Sequence, residues 1–279
     1  MSYVTHVPPG KRISLAKIPT KENGGLDKET ATGPFDALAA ELGELQELLY
    51  AAKTHSLLVI LQGLDTSGKD GTIRHVFKDV NPIGCRVTPF KVPTDEELAH
   101  DFLWRIHPHV PGLGMMTIFN RSHYEDVTVT RVKDLVPPSV WRKRYDQIND
   151  FERSLAANNT IIAKYYLHIS HAEQEERLRA REQDVAKAWK LSAQDWIERR
   201  SWDSYWEAYD DALTKCNTDD AQWRIVPADR KWFRNLAIAD DLVRTLRPLK
   251  KEWLTKLEKQ GQEELAAIRA ARELGTITL

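Results

Sequence analysis

The sequence predicts an α/β fold in which a five-stranded parallel sheet is flanked by helices. Five short apolar runs alternate with segments of helical periodicity, which is typical of a parallel sheet covered on both faces. These runs are residues 57–62, 85–90, 115–120, 160–169 and 223–228. The first run leads directly into the letters GLDTSGKDG and then into a helical pattern. That order of strand, glycine-bearing loop and helix indicates a P-loop kinase-like fold.

Most of the segments between the predicted strands are predicted to be helices. The first helix is predicted over 35–53, where Leu38, Leu42 and Leu45 recur at helical spacing. Thr94 with Glu97 three residues later is a capping box, and we expect a helix from there to about residue 107. The remaining predicted helices run from the loop to about residue 78 and over 138–157, 201–213, 231–247 and 250–270.

Three regions follow from changes in composition along the chain. Residues 1–34 are rich in Gly, Pro, Lys and Thr, and they are expected to form an extended N-terminal arm. Residues 35–250 carry the strands and the loop, and they form the predicted kinase domain with a helical lid at about 171–200. Residues 251–279 are weakly amphipathic and are predicted to be a C-terminal helical extension.

Composition excludes several classes of function. The formal net charge of −1 is incompatible with a globally basic nucleic-acid-binding protein. No apolar stretch approaches the ~20 residues of a membrane span, and the N-terminus has no apolar signal core, so we expect a cytoplasmic location. Cys85 and Cys216 lie far apart without metal-like spacing, which favours reduced structural thiols.

The loop at residues 63–71, called here the phosphate loop, predicts phosphate binding. Gly63 is followed after four residues by Gly68 and Lys69, the spacing at which backbone N–H groups and a lysine surround a phosphate. Two residues depart from the usual pattern: Asp70 replaces the Ser or Thr after the lysine, and Asp65 lies inside the loop. A carboxylate beside phosphate is repulsive unless a cation lies between them. Asp65 and Asp70 are therefore predicted metal ligands, although Asp70 could equally be a first-turn carboxylate favoured by the helix dipole.

A second chemical segment, residues 120–126, follows the strand at 115–120. P-loop proteins usually place a metal-binding acid at such a strand end, but here the position holds Asn120. Arg121 is expected to face the phosphates from the side opposite Lys69. Glu125 is either a site group or simply part of the start of a helix.

Within the predicted lid, Arg177 and Arg181 are four residues apart and so share one helix face. They could close over the phosphates as an internal arginine finger does. The alternative is a solvated helix in which these arginines pair with nearby glutamates. Charge does not separate the two, because acids and bases are balanced across 171–200.

Taken together, GLDTSGKDG, FNRSHYEDV, FLWRIHP and PADRKW resemble the polyphosphate kinase 2 family over roughly residues 35–250. HYEDV and VPADRKW make the chain most similar to class III, whose members phosphorylate nucleoside mono- and diphosphates. The resemblance implies reversible, Mg²⁺-dependent transfer of a terminal phosphoryl from inorganic polyphosphate to AMP, ADP or other nucleotides, with Mn²⁺ as an alternative metal. It also implies a homo-oligomer, either a dimer or a tetramer.

This reaction suits the residues, since a nucleotide phosphate oxygen is already anionic and needs no general base. We expect Asp65, Lys69, Arg121, Arg177 and Arg181 to be catalytic. The predicted phosphate- and nucleotide-binding residues are Gly63, Thr66, Ser67, Gly68, Lys69, Asp70, Gly71, Thr72, Asn120, Glu125 and Arg131. Candidates for holding the polyphosphate chain, each of which could instead be a solvated surface cation, are Arg74, Lys78, Arg86 and Lys91.

Two other functions remain open from the sequence. An ATP-dependent nucleoside monophosphate kinase would also need a phosphate loop and an arginine-bearing lid, but Asp65 and Asp70 argue against it. A non-catalytic polyphosphate- or nucleotide-binding protein is the other alternative, and the presence of both Lys69 and Arg121 disfavours it.

Overall fold

The computed structural model describes residues 2–274 and 276–277. Parts of the predicted arm and C-terminal extension, namely residues 1, 275 and 278–279, lie outside the described residues. Within the described ranges, no helix is both long enough and apolar enough to cross a bilayer.

The chain forms a six-stranded mixed sheet flanked by helices. The strands are β1 (Thr5–His6), β2 (Ser56–Gln62), β3 (Cys85–Pro89), β4 (Met116–Asn120), β5 (Thr160–His168) and β6 (Trp223–Pro227). Their order across the sheet is β1-β6-β5-β2-β4-β3, and every pair is parallel except β1 with β6. The α/β class is confirmed, whereas the prediction of a purely parallel five-stranded sheet is wrong.

The sixth strand comes from the N-terminal arm. Thr5 and His6 pair antiparallel with Ile225 and Arg224, and the next residue, Val7, is buried and donates its N–H to the carbonyl of Trp223 at 3.0 Å. A two-residue strand has no periodicity that a sequence pattern can reveal. It forms because apolar side chains of the arm, such as that of Val7, are buried against the edge of the sheet.

Helices cover both faces of this sheet. They are α1 (Thr32–Ala52), α2 (Lys69–Val76), α3 (Asp95–Leu98), α4 (Val129–Val132), α5 (Pro138–Ala157), α6 (His171–Glu182), α7 (Ala193–Glu198), α8 (Trp202–Lys215), α9 (Lys231–Leu246) and α10 (Lys250–Glu273). Alternate residues of β2 enter two apolar clusters: Leu58 and Ile60 face one, while Leu57, Val59 and Leu61 face the other. The continuous apolar run is therefore explained by burial on both faces.

The helix expected from Thr94 to about residue 107 is much shorter than predicted. The capping box is present, since Thr94 and Glu97 exchange side-chain and backbone hydrogen bonds. The helix ends at Leu98, and soon afterwards the Asp101 side chain accepts the N–H of Leu103 at 3.0 Å. An aspartate that bonds to the backbone two residues on starts a turn instead of continuing a helix.

The order of the strands places the phosphate loop at a favourable position. β2 lies between β4 and β5, so the chain leaves β2 at the point where the strand order reverses. In open α/β sheets, ligands bind beyond the carboxyl ends of the strands at such a switch point. The loop follows the end of β2, and residues 120–126 begin at the end of neighbouring β4.

Candidate active site

Two glycines allow the phosphate loop to turn sharply into α2. Gly63 has φ +147° and Gly68 has φ +105°, conformations that side chains disfavour. A Cβ on Gly63 would lie 2.8 Å from both the carbonyl oxygen of Leu167 and the Oγ of Ser67. Both glycines of the motif are therefore required by the backbone, and the turn delivers Lys69 to the first position of α2.

Lys69 is a buried lysine that bonds to backbone carbonyls, while the carboxylates of Asp65, Glu125 and Asp70 act on its charge only from a distance. Its Nζ donates to the carbonyls of Gly63 at 2.7 Å and Leu64 at 3.3 Å. Among the described residues, no carboxylate lies within ion-pair distance of Nζ. Burial, together with the positive charge of Arg121, lowers the pKa of Lys69 to about 8. An ammonium held in this way is available for an anionic ligand.

Arg121 joins the phosphate loop to the end of β4. Its guanidinium forms ion pairs with Asp65 and with Glu125, the latter at 2.9 Å. Arg121 itself has φ +64°, a rare conformation for a residue with a side chain. The structure thus brings together three predicted site residues and gives Glu125 a definite partner.

Asp70 and Asn120 form a second contact between α2 and the end of β4. Asn120 Nδ2 donates to Asp70 Oδ1 at 2.8 Å, and Lys190 from the lid forms an ion pair with the other carboxylate oxygen. Burial alone would raise the pKa of Asp70, but the hydrogen bonds from Lys190 and Asn120 lower it below its usual value. Asp70 is therefore ionised at neutral pH and is held by groups that a metal ion could replace.

The two lid arginines have different surroundings. Arg177 is buried, and its Nη1 donates to the carbonyls of Thr66 at 2.9 Å and Ser67 at 3.0 Å. Its Nη2 donates to the carbonyls of Ala228 and Asp229 at 2.6 and 3.0 Å. Arg181 is half-buried and pairs with Asp195 of α7 at 3.1 Å. Arg177 thus braces the loop through backbone carbonyls, while Arg181 holds parts of the lid together.

The structure does not gather the predicted polyphosphate-binding cations into one groove. Arg86 and Lys91 line a groove of about 560 Å³ beside edge strand β3. Lys78 pairs with Asp36 at 2.6 Å, and Arg74 is exposed in the last turn of α2. Arg131, which was predicted among the phosphate- and nucleotide-binding residues, pairs with Asp211 at 2.6 Å.

Several buried hydroxyls in the loop lack a protein partner. Within the described chain, the side-chain oxygens of Thr66, Ser67 and Thr72 are buried without hydrogen bonds. Thr66 and Ser67 belong to the loop itself, while Gly71 and Thr72 lie in the first turn of α2. Buried hydroxyls are normally paired, so these three are available to bond to a ligand held by the loop.

The donor set also suits one particular kind of metal site. No cluster of three or more His, Cys, Asp or Glu side chains that could hold a metal occurs among residues 2–274 and 276–277. Mg²⁺ is commonly held by only one or two carboxylates together with substrate phosphates and water. Asp65 and Asp70 fit such a site, whereas a metal enclosed entirely by protein ligands would not fit.

Sequence reasoning missed the residues that close over the loop. A cavity of about 30 Å³ lies between the loop and the lid, and the residues that line it without having been predicted are Leu64, Val129, Gln174, Asp195, Glu198, Arg199, Trp202, Tyr205 and Tyr209. Arg234 of α9 was also missed, although it is buried and touches the loop. A cation at a position surrounded by Phe233, Leu236 and Ala237 was a signal that could have revealed it.

The fold and these groups together define an α/β protein organised around a phosphate loop, as in phosphotransferases. Comparison with known proteins identifies the particular family. Residues 25–253 match the family model described as Polyphosphate kinase 2. The chain therefore belongs to the polyphosphate kinase 2 family, and the family prediction is confirmed.

Relatives of known name and structure agree with this assignment. The chain is 48% identical to the AMP/ADP-polyphosphate phosphotransferase of Meiothermus ruber over 87% of this chain and 92% of that protein. It is 41% identical to the ADP-polyphosphate phosphotransferase of Rhodopseudomonas palustris, over 86% and 88% of the two chains. The crystal structure of Polyphosphate Kinase 2 from Arthrobacter aurescens TC1 superposes with a TM-score of 0.83 at 40% identity, over 89% and 93% of the two chains.

Proposed function

We propose that this protein transfers the terminal phosphoryl group of inorganic polyphosphate to nucleoside mono- and diphosphates, converting AMP to ADP and ADP to ATP reversibly. The observation that carries the proposal is Lys69, a buried ammonium at the start of α2 with no carboxylate partner among the described residues. Family membership supports polyphosphate as the phosphoryl source. The name of the Meiothermus ruber relative, which includes both AMP and ADP, supports class III behaviour.

Catalysis at this site rests on positioning and charge. The attacking oxygen of a nucleotide phosphate is already ionised, so the site needs no base to remove a proton. Lys69 would hold the transferring phosphoryl together with the N–H groups at the start of α2. Arg121, kept in place by Asp65 and Glu125, would stabilise negative charge on the phosphates from the end of β4.

Asp65 and Asp70 are the residues that would hold Mg²⁺, or Mn²⁺ in its place. When bound, the metal supplies positive charge that neutralises the phosphate oxygens and the two carboxylates. Asn120, being uncharged, orients Asp70 through its amide at 2.8 Å.

The lid must move for a nucleotide to enter between it and the loop. The cavity there, about 30 Å³, is far smaller than the roughly 300–1,000 Å³ typical of a small-molecule pocket. Lys190 holds the lid against Asp70, and Lys133 pairs with Glu198 of α7. These exposed pairs are weak, so opening of the lid is feasible at modest cost.

We also propose that residues 35–250 form the kinase domain and that residues 1–34 and 251–279 are its arm and extension. We propose further that the protein is a cytoplasmic dimer or tetramer.

The test supplies polyphosphate as the sole phosphoryl donor. Purified protein is incubated with AMP, Mg²⁺ and long-chain polyphosphate in the absence of ATP. We expect ADP and then ATP to form, as measured by chromatography of the nucleotides. A parallel reaction replaces polyphosphate by ATP. Turnover with ATP alone would identify an ordinary nucleoside monophosphate kinase, and binding of both substrates without turnover would identify a non-catalytic binding protein; either result overturns the proposal.

A further inference from the structure

Arg234 lies behind the phosphate loop and has no place in the mechanism described so far. It belongs to the first turn of α9 and is 2% exposed. Its Nη1 donates to the carbonyl of Ser67 at 3.3 Å, while Nε and Nη2 both donate to Oδ1 of the neighbouring Asn235 at 3.1 and 2.8 Å. The guanidinium is therefore held in a fixed orientation against the loop.

The fit between Arg234 and the loop depends on the absence of side chains there. A Cβ placed on Gly68 would lie 1.8 Å from Nη1 of Arg234, and one on Gly71 would lie 3.3 Å from Nη2. Gly68 thus leaves room for the guanidinium, and its positive φ separately disfavours a side chain at this position. The guanidinium of Arg234 therefore lies directly against the backbone of the phosphate loop.

Within the described part of the chain, this guanidinium has no ion-pair partner. Among the described residues, no carboxylate forms an ion pair with Arg234, and Arg177, which donates to the same Ser67 carbonyl, adds a second positive charge there. Burial, reinforced by the positive charge of Arg177, lowers the pKa of Arg234 to about 9. A buried cation without a counterion is costly, so its retention calls for a compensating anion.

The peptide bond between Ser67 and Gly68 connects this cation to the ligand side of the loop. Its carbonyl accepts hydrogen bonds from both Arg177 and Arg234, at 3.0 and 3.3 Å. No peptide bond of the described chain is cis, so the N–H of Gly68 points away from that carbonyl. Within the described residues, this N–H donates to no protein acceptor. Hydrogen bonds to a carbonyl polarise the peptide and strengthen its N–H as a donor.

We propose that Arg234 is a positioning residue of the phosphate loop, which fixes the peptide between Ser67 and Gly68 and leaves a positive charge whose counterion is the bound phosphate chain. This inference rests on the proposed function, because it assumes that the loop binds phosphate. It assigns to α9, which lies outside the loop and the lid, a direct part in setting the affinity for polyphosphate.

The first experiment compares three arginine variants by calorimetric titration with inorganic tripolyphosphate. Arg234→Gln removes the charge and is expected to weaken binding about tenfold, in line with the loss of a charge-assisted hydrogen bond. Arg234→Lys keeps the charge and should restore affinity to within about threefold of the wild type. Arg244→Gln is the matched control, since Arg244 lies on the same helix but is exposed and paired with Asp240 at 2.7 Å.

A second variant separates charge from packing. Asn235→Asp keeps the shape and the acceptor oxygen that orient Arg234, and it adds the missing counter-charge. If Arg234 serves only to stabilise the loop, this change leaves tripolyphosphate binding unaltered and keeps or raises the stability of the protein. If its charge attracts phosphate, tripolyphosphate binding weakens about tenfold and its dependence on salt becomes shallower.

Kinetics complete the test. We expect Asn235→Asp to raise KM for polyphosphate while the melting temperature stays at or above that of the wild type. Wild-type affinity in Asn235→Asp overturns the inference, even if Arg234→Gln proves insoluble. The proposed function fails in a different way, namely if wild-type protein binds tripolyphosphate but does not transfer phosphoryl groups from polyphosphate to AMP or ADP.

Discussion

Two lysines are buried among the residues that the structure describes, and their surroundings are opposite. Lys164, on central strand β5, donates from Nζ to Glu152 at 2.6 Å and to Tyr124 Oη and the carbonyl of Cys216, each at 2.8 Å. Lys69 donates only to two backbone carbonyls. Burial would raise the pKa of Glu152, but Lys164 and His123 keep it below its usual value. Burial lowers the pKa of Lys164, and the Glu152 carboxylate opposes that change.

The contrast separates structural charge from functional charge. Lys164 has a full set of partners, and no substrate is needed to stabilise it. Lys69 has no carboxylate partner among the described residues, and therefore a bound phosphate can provide one. Burial alone does not distinguish the two lysines. The partners that the protein supplies do.

The largest expected effect is at Lys69. Lys69→Met should lower kcat about 10³-fold, because it removes positive charge from the transferring phosphoryl in a water-poor site. The melting temperature should stay the same or rise, since an uncompensated buried cation is lost. Lys256→Met, which changes an exposed lysine of α10, is the control. A loss of less than tenfold for Lys69→Met would remove this lysine from the chemistry.

At Lys164 the expected effect is on stability. Lys164→Met leaves Glu152 buried without a counterion and should lower the free energy of unfolding by about 3–5 kcal/mol. Adding Glu152→Gln removes the stranded charge and should recover most of the loss. Urea denaturation of the two variants measures this difference. Equal stability of single and double variants would mean that the ion pair does not determine the cost.

The network around Lys164 also predicts a smaller dependence of stability on pH. Burial lowers the pKa of His123 below its ordinary value of 6.5. Below pH 6.5 the unfolded chain therefore binds a proton that the folded protein does not, and stability falls as pH falls, by up to about 1.4 kcal/mol per pH unit.

Comparing the wild type with His123→Gln between pH 7 and 5 isolates this contribution. His168 is also buried with a lowered pKa, and its effect has the same sign. The glutamine variant should thus lose part of the acid sensitivity and keep the share that His168 supplies. An unchanged slope would show that His123 accepts its proton in the folded state.

A third lysine gives the smallest effect. Lys190 is half-buried on the lid and pairs with the exposed carboxylate of Asp70, one of the proposed metal ligands. Because exposed ion pairs contribute little, Lys190→Ala should lower the Mg²⁺ concentration for half-maximal activity only about two- to threefold. Lys133→Ala, which breaks another lid contact at Glu198 without touching Asp70, should leave it unchanged. A larger change in the Mg²⁺ requirement for Lys133→Ala than for Lys190→Ala would contradict competition between Lys190 and the metal.

Much of the site was predictable because it is encoded in neighbouring residues. Strand β2, the two glycines of the loop, Lys69 and the segment after β4 follow one another in the chain, and each has a local signature. The pairing of Asn120 with Asp70 follows from the adjacency of β2 and β4. Parallel strands place their carboxyl ends together, so residues 50 positions apart in the chain meet.

The roles of the lid arginines were less predictable. The helical spacing of Arg177 and Arg181 indicates a shared face, but not what that face contacts. Arg177 donates to four backbone carbonyls from two separate segments. Carbonyls are present at every residue, so no residue type in the sequence marks them as the partners of an arginine.

The sequence by itself determined the α/β class, the positions of the parallel strands, the phosphate loop and the family. These depend on local periodicity and on short motifs in which glycine and lysine have few substitutes. Only the tertiary structure decided which buried cations have partners, that the arm adds an antiparallel strand, and that Arg234 of α9 lies behind the loop. Compensation of charge depends on distances between residues far apart in the chain, and these distances are set when the helices pack on the sheet.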